Sequence, residues 1–464
     1  MKHIKIAYIG GGSKEWAKVF MNDLAQAEGI TGEIALYDID IDAAKRNQKI
    51  GNRINSHEKA ISKWDYQVYE KIDGALKNAD FVAISILPGT FDEMMSDVHT
   101  PEAYGIYQSV GDTAGPGGVI RSMRTVPIFE FFAKKIKEHC PKAWVLNFTN
   151  PMTICVKTLY DIFPEIKAFG CCHEVFHTQD FLCSVLEEEK GIKVHRNQIY
   201  TDVTGINHFT WITEAKYQDI DLIGLLPSFL DKYYETGFNE NGSSDLYLES
   251  PFAQANRVKM DLYKQYGILA AAGDRHLVEF LNHNWYLRDK EMIDYWKFAL
   301  TTVDFRIELR EERIKKLELE AEGKKDIDLY TSDEEAIDLM KAILGFNQKV
   351  SNVNTINLGQ VKDLPLGSIV ETNALFTNDQ VIPLMAKPLP KTVKNLVLRN
   401  ANNIESLYEG IKNRDLNHIF ESFINQPLLD GLTIVQARAL FKEMIENTKE
   451  YLNQYFNIDG FLNN

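Results

Sequence analysis

Apolar strands alternate with amphipathic helices from the first residues of this chain, and that alternation limits the folds open to it. The run IKIAYIG is rich in β-branched and aromatic residues and ends in glycine, so it predicts a buried strand. GGGSKEWAKVFMNDLAQ follows with apolar residues at helical spacing, and GEIALYDID predicts the next strand. Because parallel strands need crossover connections, usually helices, the pattern predicts an α/β protein that begins with a doubly wound parallel sheet.

The alternation of strands and helices gives way to mostly helical segments in the second half of the chain. Before that point, three further strands are predicted in NADFVAISILPG, KAWVLNFTNP and EIKAFGCCH. Beyond about residue 205 the segments are mostly long and helical, with one strand pair that turns at TND in LGSIVETNALFTNDQVIPL. We therefore predict a Rossmann-like domain over residues 1–204 and a mixed, helix-rich α/β lobe over residues 205–464, since 464 residues are too many for one ordinary core.

Charge and composition exclude several classes of protein. The net charge of −15 argues against general affinity for nucleic acid or an anionic membrane. No apolar run is long enough to span a bilayer, and the N-terminus lacks the features of a signal peptide. The five cysteines lie in one segment and do not form the pattern of a secreted disulfide framework. We expect a cytoplasmic protein with no nucleic-acid or membrane partner.

A glycine-rich turn follows the first predicted strand. Gly10, Gly11 and Gly12 open a helix there, where backbone N–H groups can bind a pyrophosphate. The fingerprint is incomplete because Glu15 stands at the position of the third glycine, and such a turn also occurs without a ligand. Asp38 ends the second strand, where a carboxylate accepts hydrogen bonds from adenosine ribose and repels a 2′-phosphate. With the parallel pattern, these residues predict a site for NAD.

Two other segments lie near the predicted cofactor site. NFTNP places Asn150 where its amide could bind a substrate hydroxyl, although a turn closed by Pro151 explains it equally well on local grounds. YQSVGDTAGPGGVIRSMRTVP is expected to be a flexible glycine-rich loop, and loops at strand ends either bind ligands or bind nothing. Its polar residues are Gln108, Asp112, Arg121 and Arg124.

AFGCCHEVFH groups two cysteines and two histidines, and several interpretations stay open for it. Cys172 could belong to a sparse metal site, with His208 of GINHFTW as second ligand and positions left for substrate. A histidine before an aromatic residue is nevertheless more often a core residue. A cysteine nucleophile would need His173 or His177 as base, and no acyl-transfer signature surrounds it. A disulfide between Cys171 and Cys172 would be strained.

GDRHLVEFL contains the third polar cluster, with Asp274, Arg275 and His276 in succession. A carboxylate, a guanidinium and an imidazole this close together suit a general base beside an anion-binding group. The alternative is an ordinary helix start with Asp274 as N-cap.

Taken together, these segments resemble glycoside hydrolase family 4, the NAD- and manganese-dependent glycosidases. The matching motifs occur in the family's order over most of the chain, and the last three are similar to its α-galacturonidase branch almost letter for letter. They are IAYIGGGS, LYD, SILPG, NFTNPM, GCCHEVF, GINHFTW and AAGDRHLVEF. The resemblance implies a lactate-dehydrogenase-like Rossmann domain with an added lobe. It also implies NAD and Mn²⁺ (or another divalent metal) as cofactors, and a homodimer or homotetramer.

The resemblance also implies roles for individual residues. Cys172 and His208 are expected to hold the metal, Asp274 to act as base, and His173 to act as acid where some members have an aspartate. Residues expected to bind the cofactor are Gly10, Gly11, Gly12, Ser13, Asp38, Ser85 and Pro88. Residues expected to bind the substrate are Asn150, Asp112, Arg275 and His276.

The implied reaction departs from two-carboxylate glycoside hydrolysis. Hydride passes from the sugar C3 to NAD⁺, a base removes the C2 proton that the metal-polarised carbonyl acidifies, and C1–O breaks by elimination before water adds and the hydride returns. The expected substrate is an α-galacturonide derived from pectin, whose carboxylate would suit Arg275. The alternatives are α-glucuronides, α-glucosides or α-galactosides with the same mechanism, or an NAD-dependent hydroxy-acid dehydrogenase. A non-enzymatic NAD-sensing module is a third.

Overall fold

The computed structural model describes residues 1–462, in which thirteen strands form one continuous sheet with helices packed around it. The strands are β1 (Lys2–Ile9), β2 (Ile30–Tyr37), β3 (Trp64–Tyr69), β4 (Phe81–Ile84), β5 (Trp144–Asn147), β6 (Lys167–Gly170), β7 (Tyr200–Ile206), β8 (Phe209–Tyr217), β9 (Ile220–Asp221), β10 (Leu269–Ala270), β11 (Lys349–Ile356), β12 (Ile369–Thr377) and β13 (Gln380–Pro383).

Nineteen α-helices lie in the same described range. They are α1 (Trp16–Gln26), α2 (Ile41–Asn55), α3 (Ile72–Leu76), α4 (Phe91–His99), α5 (Gly115–His139), α6 (Met152–Ile162), α7 (Glu174–Lys190), α8 (Leu226–Tyr233), α9 (Arg257–Tyr266), α10 (Asp274–Leu277), α11 (His283–Tyr286), α12 (Lys290–Trp296), α13 (Val303–Ala321), α14 (Ala336–Ile343), α15 (Lys391–Lys412), α16 (Leu416–Ile424), α17 (Ile434–Asn447), α18 (Lys449–Leu452) and α19 (Ile458–Leu462). None of them has the length and apolar character needed to cross a membrane.

The N-terminal part of the sheet is parallel and doubly wound, as the alternating pattern predicts. Its strands run in the order β3-β2-β1-β4-β5-β6, and each neighbouring pair is parallel. The central strand β1 is apolar because both of its faces are covered, and Ile6 is fully buried between Ile34 of β2 and Phe81 of β4. This arrangement brings the carboxyl ends of β1, β4, β5 and β6 to one edge.

The second part of the sheet is antiparallel and is hydrogen-bonded directly to the first. Its strands follow β6 in the order β11-β12-β7-β8-β10, and β11 pairs with β6 through Asn354 and Gly170. The strand pair predicted to turn at TND is confirmed as β12 and β13. Helices α8 to α19 make the C-terminal part helix-rich, so the predicted α/β class is correct. The division at residue 204 stays a prediction, since one sheet passes through both parts.

The glycine turn after β1 is folded as a strand–turn–helix connection. Gly10 has φ +95°, and a Cβ there would lie 1.9 Å from the carbonyl oxygen of Ser85. A Cβ on Gly12 would lie 2.8 Å from Oδ2 of Asp38. Glycine is therefore required at both positions by the close approach of β4 and of the end of β2.

The expectation of a flexible loop over residues 107–127 is wrong in its second half. Helix α5 begins at Gly115, and Arg121 and Arg124 are buried on it. The glycines serve close packing rather than flexibility, because a Cβ on Gly117 would lie 2.6 Å from the Gly111 carbonyl oxygen. A glycine-rich helix start of this kind lacks the apolar spacing from which helices are predicted.

Helix α13 crosses from the C-terminal part of the chain onto the N-terminal sheet layer. Lys18 of α1 donates to both carboxylate oxygens of Glu320 at 2.8 Å, and the Glu320 side chain is fully buried. Leu317 of α13 belongs to the same hydrophobic core as Ile6 and Phe20. The first parallel layer is thus completed by residues three hundred positions further along the chain.

Candidate active site

The cofactor-side residues lie at the carboxyl ends of β1, β2 and β4, as predicted. Oδ2 of Asp38 accepts the N–H of Gly12 at 2.7 Å, and its Oδ1 accepts the N–H of Asp40 at 2.9 Å. Helix α1 begins with no side-chain cap on its first turn. An uncapped helix start beside a glycine turn leaves N–H donors for a phosphate group. This arrangement fits a dinucleotide.

Ser13, Ser85 and Pro88 lie on the loops of the same edge. The N–H of Ser13 closes the glycine turn onto the carbonyl of Gly10 at 2.9 Å, and the N–H of Ser85 extends the β1–β4 ladder by bonding to the Ile9 carbonyl at 2.9 Å. The carbonyl of Pro88 accepts the Nε of Arg124 at 3.5 Å. These residues shape the edge through backbone contacts.

The fold brings the segments of Cys172 and His208 into one neighbourhood, although they lie 36 positions apart in the sequence. Cys172 follows β6, and His208 lies in the two-residue turn between β7 and β8. Asn207, the residue before His208, is near enough to the Cys172 thiol to favour its ionised form, and the Glu174 carboxylate acts on the pKa of both Cys172 and His208. Burial, with the negative charges of Glu371 and Glu174, holds the pKa of this thiol well above its usual range.

His208 has the properties of a neutral ligand. Its φ of +63° is uncommon for a side-chain-bearing residue, and only 3% of it is exposed. Burial and the neighbouring His276 lower the pKa of His208 to about 3, so the ring is uncharged near neutral pH. Nδ1 is buried and has no hydrogen-bond partner within residues 1–462. An unpartnered neutral imidazole in the same neighbourhood as a thiol fits a divalent transition metal.

His173 lies between the cofactor edge and Cys172. Its ring stacks on Trp16 of α1, with centroids 5.7 Å apart, and its Nδ1 is 3.2 Å from Oε1 of Glu334. Burial alone would lower the pKa of His173, but the Glu334 and Glu174 carboxylates outweigh it and raise the pKa. Possible ligand atoms of His173, Glu174 and His177 also lie within 4.8 Å of one another, a second grouping suited to a cation.

Glu174 connects the CCHEVF segment to the GDRHL segment. Its Oε1 is 3.3 Å from Nε2 of His276, and its Oε2 accepts the N–H of Gly273 at 2.8 Å. The His276 ring lies against the His208 ring with centroids 4.0 Å apart. Burial opposes ionisation of Glu174, but His276, His177 and His173 lower its pKa well below the usual value. Sequence reasoning assigned no role to this carboxylate.

Asp274 is fully buried at the start of α10, but it is not the N-cap of that helix, which is Gly273. Its Oδ1 accepts the N–H of Lys259 at 3.0 Å, and its Oδ2 accepts the N–H of Val258 at 3.2 Å. It therefore caps α9. Burial raises the pKa of Asp274 to about 6, despite the opposing effect of the Lys259 charge and these hydrogen bonds.

Asp112 is surrounded by positive charge. Burial alone would raise the pKa of Asp112, but the guanidinium groups of Arg121 and Arg306 and the rings of His276 and His208 lower it to about 2. Arg275 lies near the same carboxylate. Among the described residues, none of these three arginines forms an ion pair with a carboxylate. The site thus holds three buried or half-buried arginines without a direct ion-pair partner among the described residues, although Glu174, Glu279 and Asp97 also act on them from further away.

Glu279 holds the loop that carries Asp112. Its Oε1 accepts the N–H groups of Val110 and Gly111 at 2.7 and 2.8 Å. Only 1% of Glu279 is exposed, and burial raises its pKa to about 7 although these hydrogen bonds act in the opposite direction. Nothing in the sequence indicates that Glu279 binds these two N–H groups, because Val110 and Gly111 lie far from it along the chain.

Glu371 on β12 is a second carboxylate that the sequence reasoning missed. It accepts Nδ2 of Asn352 and of Asn354 at 3.2 Å, and the hydroxyl of Thr210 also donates to it. Burial raises the pKa of Glu371 to about 7, although the three donors oppose that change. The available signal was a glutamate inside the apolar strand SIVETNALF, where an unpaired charge would be costly.

Comparison with known proteins agrees with this fold. Residues 5–188 match the family 4 glycosyl hydrolases, and residues 203–429 match the C-terminal domain of the same family. The chain is 51% identical over 451 residues to the alpha-galacturonidase of Thermoanaerobacterium saccharolyticum, covering 97% of each chain.

Two solved structures share the fold. That of lplD from Bacillus subtilis has a TM-score of 0.91 and 44% identity, covering 96% of this chain and 100% of the other. A 6-phospho-alpha-glucosidase from gut microorganisms, solved in complex with NAD and Mn²⁺, has a TM-score of 0.80 and 18% identity, covering 97% and 99%. The two family matches together span most of the sequence, so the chain belongs to the family 4 glycosyl hydrolases.

Proposed function

We propose that this chain is an α-galacturonidase that uses NAD and a divalent metal, Mn²⁺ being our first choice. The proposal is supported by its family and by the 51% identical alpha-galacturonidase that it matches over nearly its full length. The expected substrates are small α-galacturonides such as those derived from pectin.

The observation that carries the choice of sugar is the group of arginines around Asp112 that have no ion-pair partner among the described residues. Arg121, Arg275 and Arg306 all lie near Asp112, and none of them forms an ion pair with any of the described residues. The carboxylates of Asp97, Glu174 and Glu279 also act on them, but none of these is within ion-pair distance of the three arginines. Buried charges in proteins are normally paired, because desolvating an unpaired charge is costly. A uronide brings the missing negative charge as its C6 carboxylate, whereas a neutral glucoside or galactoside brings none.

The residues that would hold the cofactor form the edge already described. Asp38 would accept the adenosine ribose hydroxyls, since each of its oxygens has a lone pair left after bonding to Gly12 or Asp40. Its negative charge favours NAD over NADP. The glycine turn and the start of α1 would face the pyrophosphate. The full proposed set is Gly10, Gly11, Gly12, Ser13, Asp38, Ser85 and Pro88.

Cys172 and His208 would hold the metal and leave coordination positions for the sugar oxygens. When bound, NAD would take up and return the hydride of C3, and the metal would acidify the C2 proton. Asn150 would orient a sugar hydroxyl, and its Oδ1 is buried with no partner in residues 1–462. His276 borders the same space through its ring contact with His208, and Asp112 is near enough for its charge to act on His208.

Two residues would move protons. Asp274 is our proposal for the base that accepts the C2 proton, and a carboxyl pKa of about 6 suits a base near neutral pH. His173 is our proposal for the acid that protonates the leaving oxygen, held in place by Trp16 and Glu334. Both side chains lie on loops or helix starts next to the Glu174–His276 contact.

A substrate panel tests the proposal. The protein is incubated with aryl α-galacturonide, α-glucuronide, α-galactoside and α-glucoside, with NAD⁺ and Mn²⁺ supplied or withheld independently. We expect fastest hydrolysis of the galacturonide, dependence on both additions, and no net accumulation of NADH. Stoichiometric NADH would indicate a dehydrogenase, NAD binding without turnover would indicate a sensing module, and preference for a neutral sugar would contradict the choice of substrate.

A further inference from the structure

Arg121 of α5 is a buried arginine whose terminal nitrogens have no protein partner. Only 5% of this residue is exposed. Its Nε donates to the backbone carbonyl of Asn150 at 3.1 Å, and within the described range neither Nη atom has a hydrogen bond or an ion pair. A guanidinium presents its two Nη groups as a planar fork that matches a carboxylate. The side chain is therefore fixed at Nε and open at the end that recognises anions.

Neighbouring arginines differ from Arg121 in this respect. Arg124, three residues further along α5, bonds to Asp97 through both Nη atoms. Arg306 donates from Nη2 to the Val110 carbonyl at 2.7 Å and from Nε to the Thr301 carbonyl at 3.3 Å. These two side chains are committed to holding protein segments together.

Arg275 is the other candidate for an anion contact, and its fork is already half used. Nη1 donates to the hydroxyl of Thr301 at 2.6 Å, and the guanidinium lies over the ring of Phe252 at 5.4 Å. One N–H of Arg275 is therefore committed to the protein, although its Nε is buried without a partner among the described residues. Arg121 is the arginine of this cluster whose two Nη atoms are both without a protein partner in the described range.

The position of Arg121 agrees with a role at the sugar. Its Nε donates to the backbone carbonyl of Asn150. The side-chain Oδ1 of the same Asn150 is buried and has no partner among the described residues. Asp112, the nearest negative charge to it, is shared with Arg306 and is too far away for an ion pair with either. We infer that Arg121 binds the C6 carboxylate of the uronide through both Nη atoms and so determines specificity for acidic sugars. The inference rests on the proposed function.

Binding of the product sugars to the NAD- and Mn²⁺-loaded protein tests this inference. Isothermal titration with galacturonate and with galactose compares the wild type with Arg121→Gln, Arg121→Lys and Arg275→Gln. We expect Arg121→Gln to raise the Kd for galacturonate by roughly 10- to 100-fold, as loss of a charged hydrogen-bonded pair does, and to leave galactose binding unchanged. Arg275→Gln should have the smaller effect. Arg121→Lys should also weaken galacturonate binding, because an ammonium cannot form the fork.

Matched controls separate the possible failures. Arg288→Gln makes the same chemical change at an exposed arginine, whose side chain is 52% exposed, and should bind both sugars as the wild type does. If Arg121→Gln does not fold, Arg121→Lys decides: weaker binding of galacturonate alone supports the inference. Wild-type affinity for galacturonate in either variant, or equal losses for both sugars, would overturn it. A wild-type protein that prefers galactose would overturn the proposed function itself, before any variant is compared.

Discussion

Glu279 gives a prediction whose sign and size follow from the structure. Its carboxylate is almost fully buried and has a pKa of about 7, compared with 4.5 for an ordinary glutamate. The unfolded chain therefore loses this proton at lower pH than the folded chain does. Between these two pKa values the folded state binds more protons, so this group makes the protein less stable as pH rises from about 4.5 to about 7.

Glu279→Gln removes that penalty and keeps the hydrogen-bond acceptor. The amide oxygen can still accept the N–H groups of Val110 and Gly111. Integrating the two titrations gives a cost of ionisation of about 1 kcal/mol near pH 5 and about 3 kcal/mol near pH 8. The variant should therefore gain about 2.5 kcal/mol relative to wild type between these two pH values.

The assay is urea unfolding of wild type and variant at both pH values, read as a difference between the two proteins so that other titrating groups cancel. Glu279→Ala serves as the contrast, since it leaves two buried N–H groups unpaired and should destabilise the protein near pH 5, at a cost of about 1–3 kcal/mol for each N–H group. Because it also lacks the carboxyl, its difference from wild type should shift by the same amount, about 2.5 kcal/mol, between pH 5 and pH 8. A gap between wild type and Glu279→Gln that is the same near pH 5 and near pH 8 would refute the reasoning.

Three further outcomes are expected. Asp274→Asn should lower kcat by about 10²- to 10⁴-fold with NAD affinity unchanged, measured by hydrolysis and by fluorescence titration; near-normal turnover would leave Asp274 only as the cap of α9. Cys172→Ser should weaken Mn²⁺ binding by more than about tenfold in direct titration, and an unchanged affinity would favour the grouping of His173, Glu174 and His177 instead. Glu320→Gln should destabilise the protein by about 3–5 kcal/mol in denaturant unfolding, because it leaves Lys18 buried without its partner. The double change Lys18→Met with Glu320→Leu should recover most of that loss, and no recovery would contradict an ion-pair origin.

The parallel half of the fold was predictable because its strands are covered on both faces. Strands such as β1 and β4 then appear as largely apolar runs, IKIAYI and FVAI, and helices fill the intervals. The start of α5 was not predictable, since glycine at 115, 117 and 118 signals a loop locally but is needed there for close packing. The start of α5 depends on close contacts in the folded chain, which the spacing of residues in the sequence does not reveal.

The candidate site was predictable where residue types are chemically unusual. Cys172 and His208 stood out by composition, and the fold does bring their segments together through Asn207. Arg306 did not stand out, because a charged residue on a helix is ordinarily solvated and only the folded chain brings this one near Asp112. From the sequence, Arg121 and Arg124 could not be distinguished as the arginine with free Nη atoms, because only the structure shows that Asp97 bonds to Arg124 and not to Arg121.

The crossing of α13 has a consequence for how such enzymes can be recombined. Leu317 and Phe376 belong to the core of the first parallel layer, and β11 extends that layer through Asn354. A chimera joined near residue 204 would give the cofactor-binding half a foreign helix, a foreign core and a foreign neighbouring strand. We expect a chimera of two relatives to exchange substrate preference and stay active only when residues 303–383 come from the same parent as residues 1–204. The part that must be kept together is therefore encoded by two separate stretches of the gene.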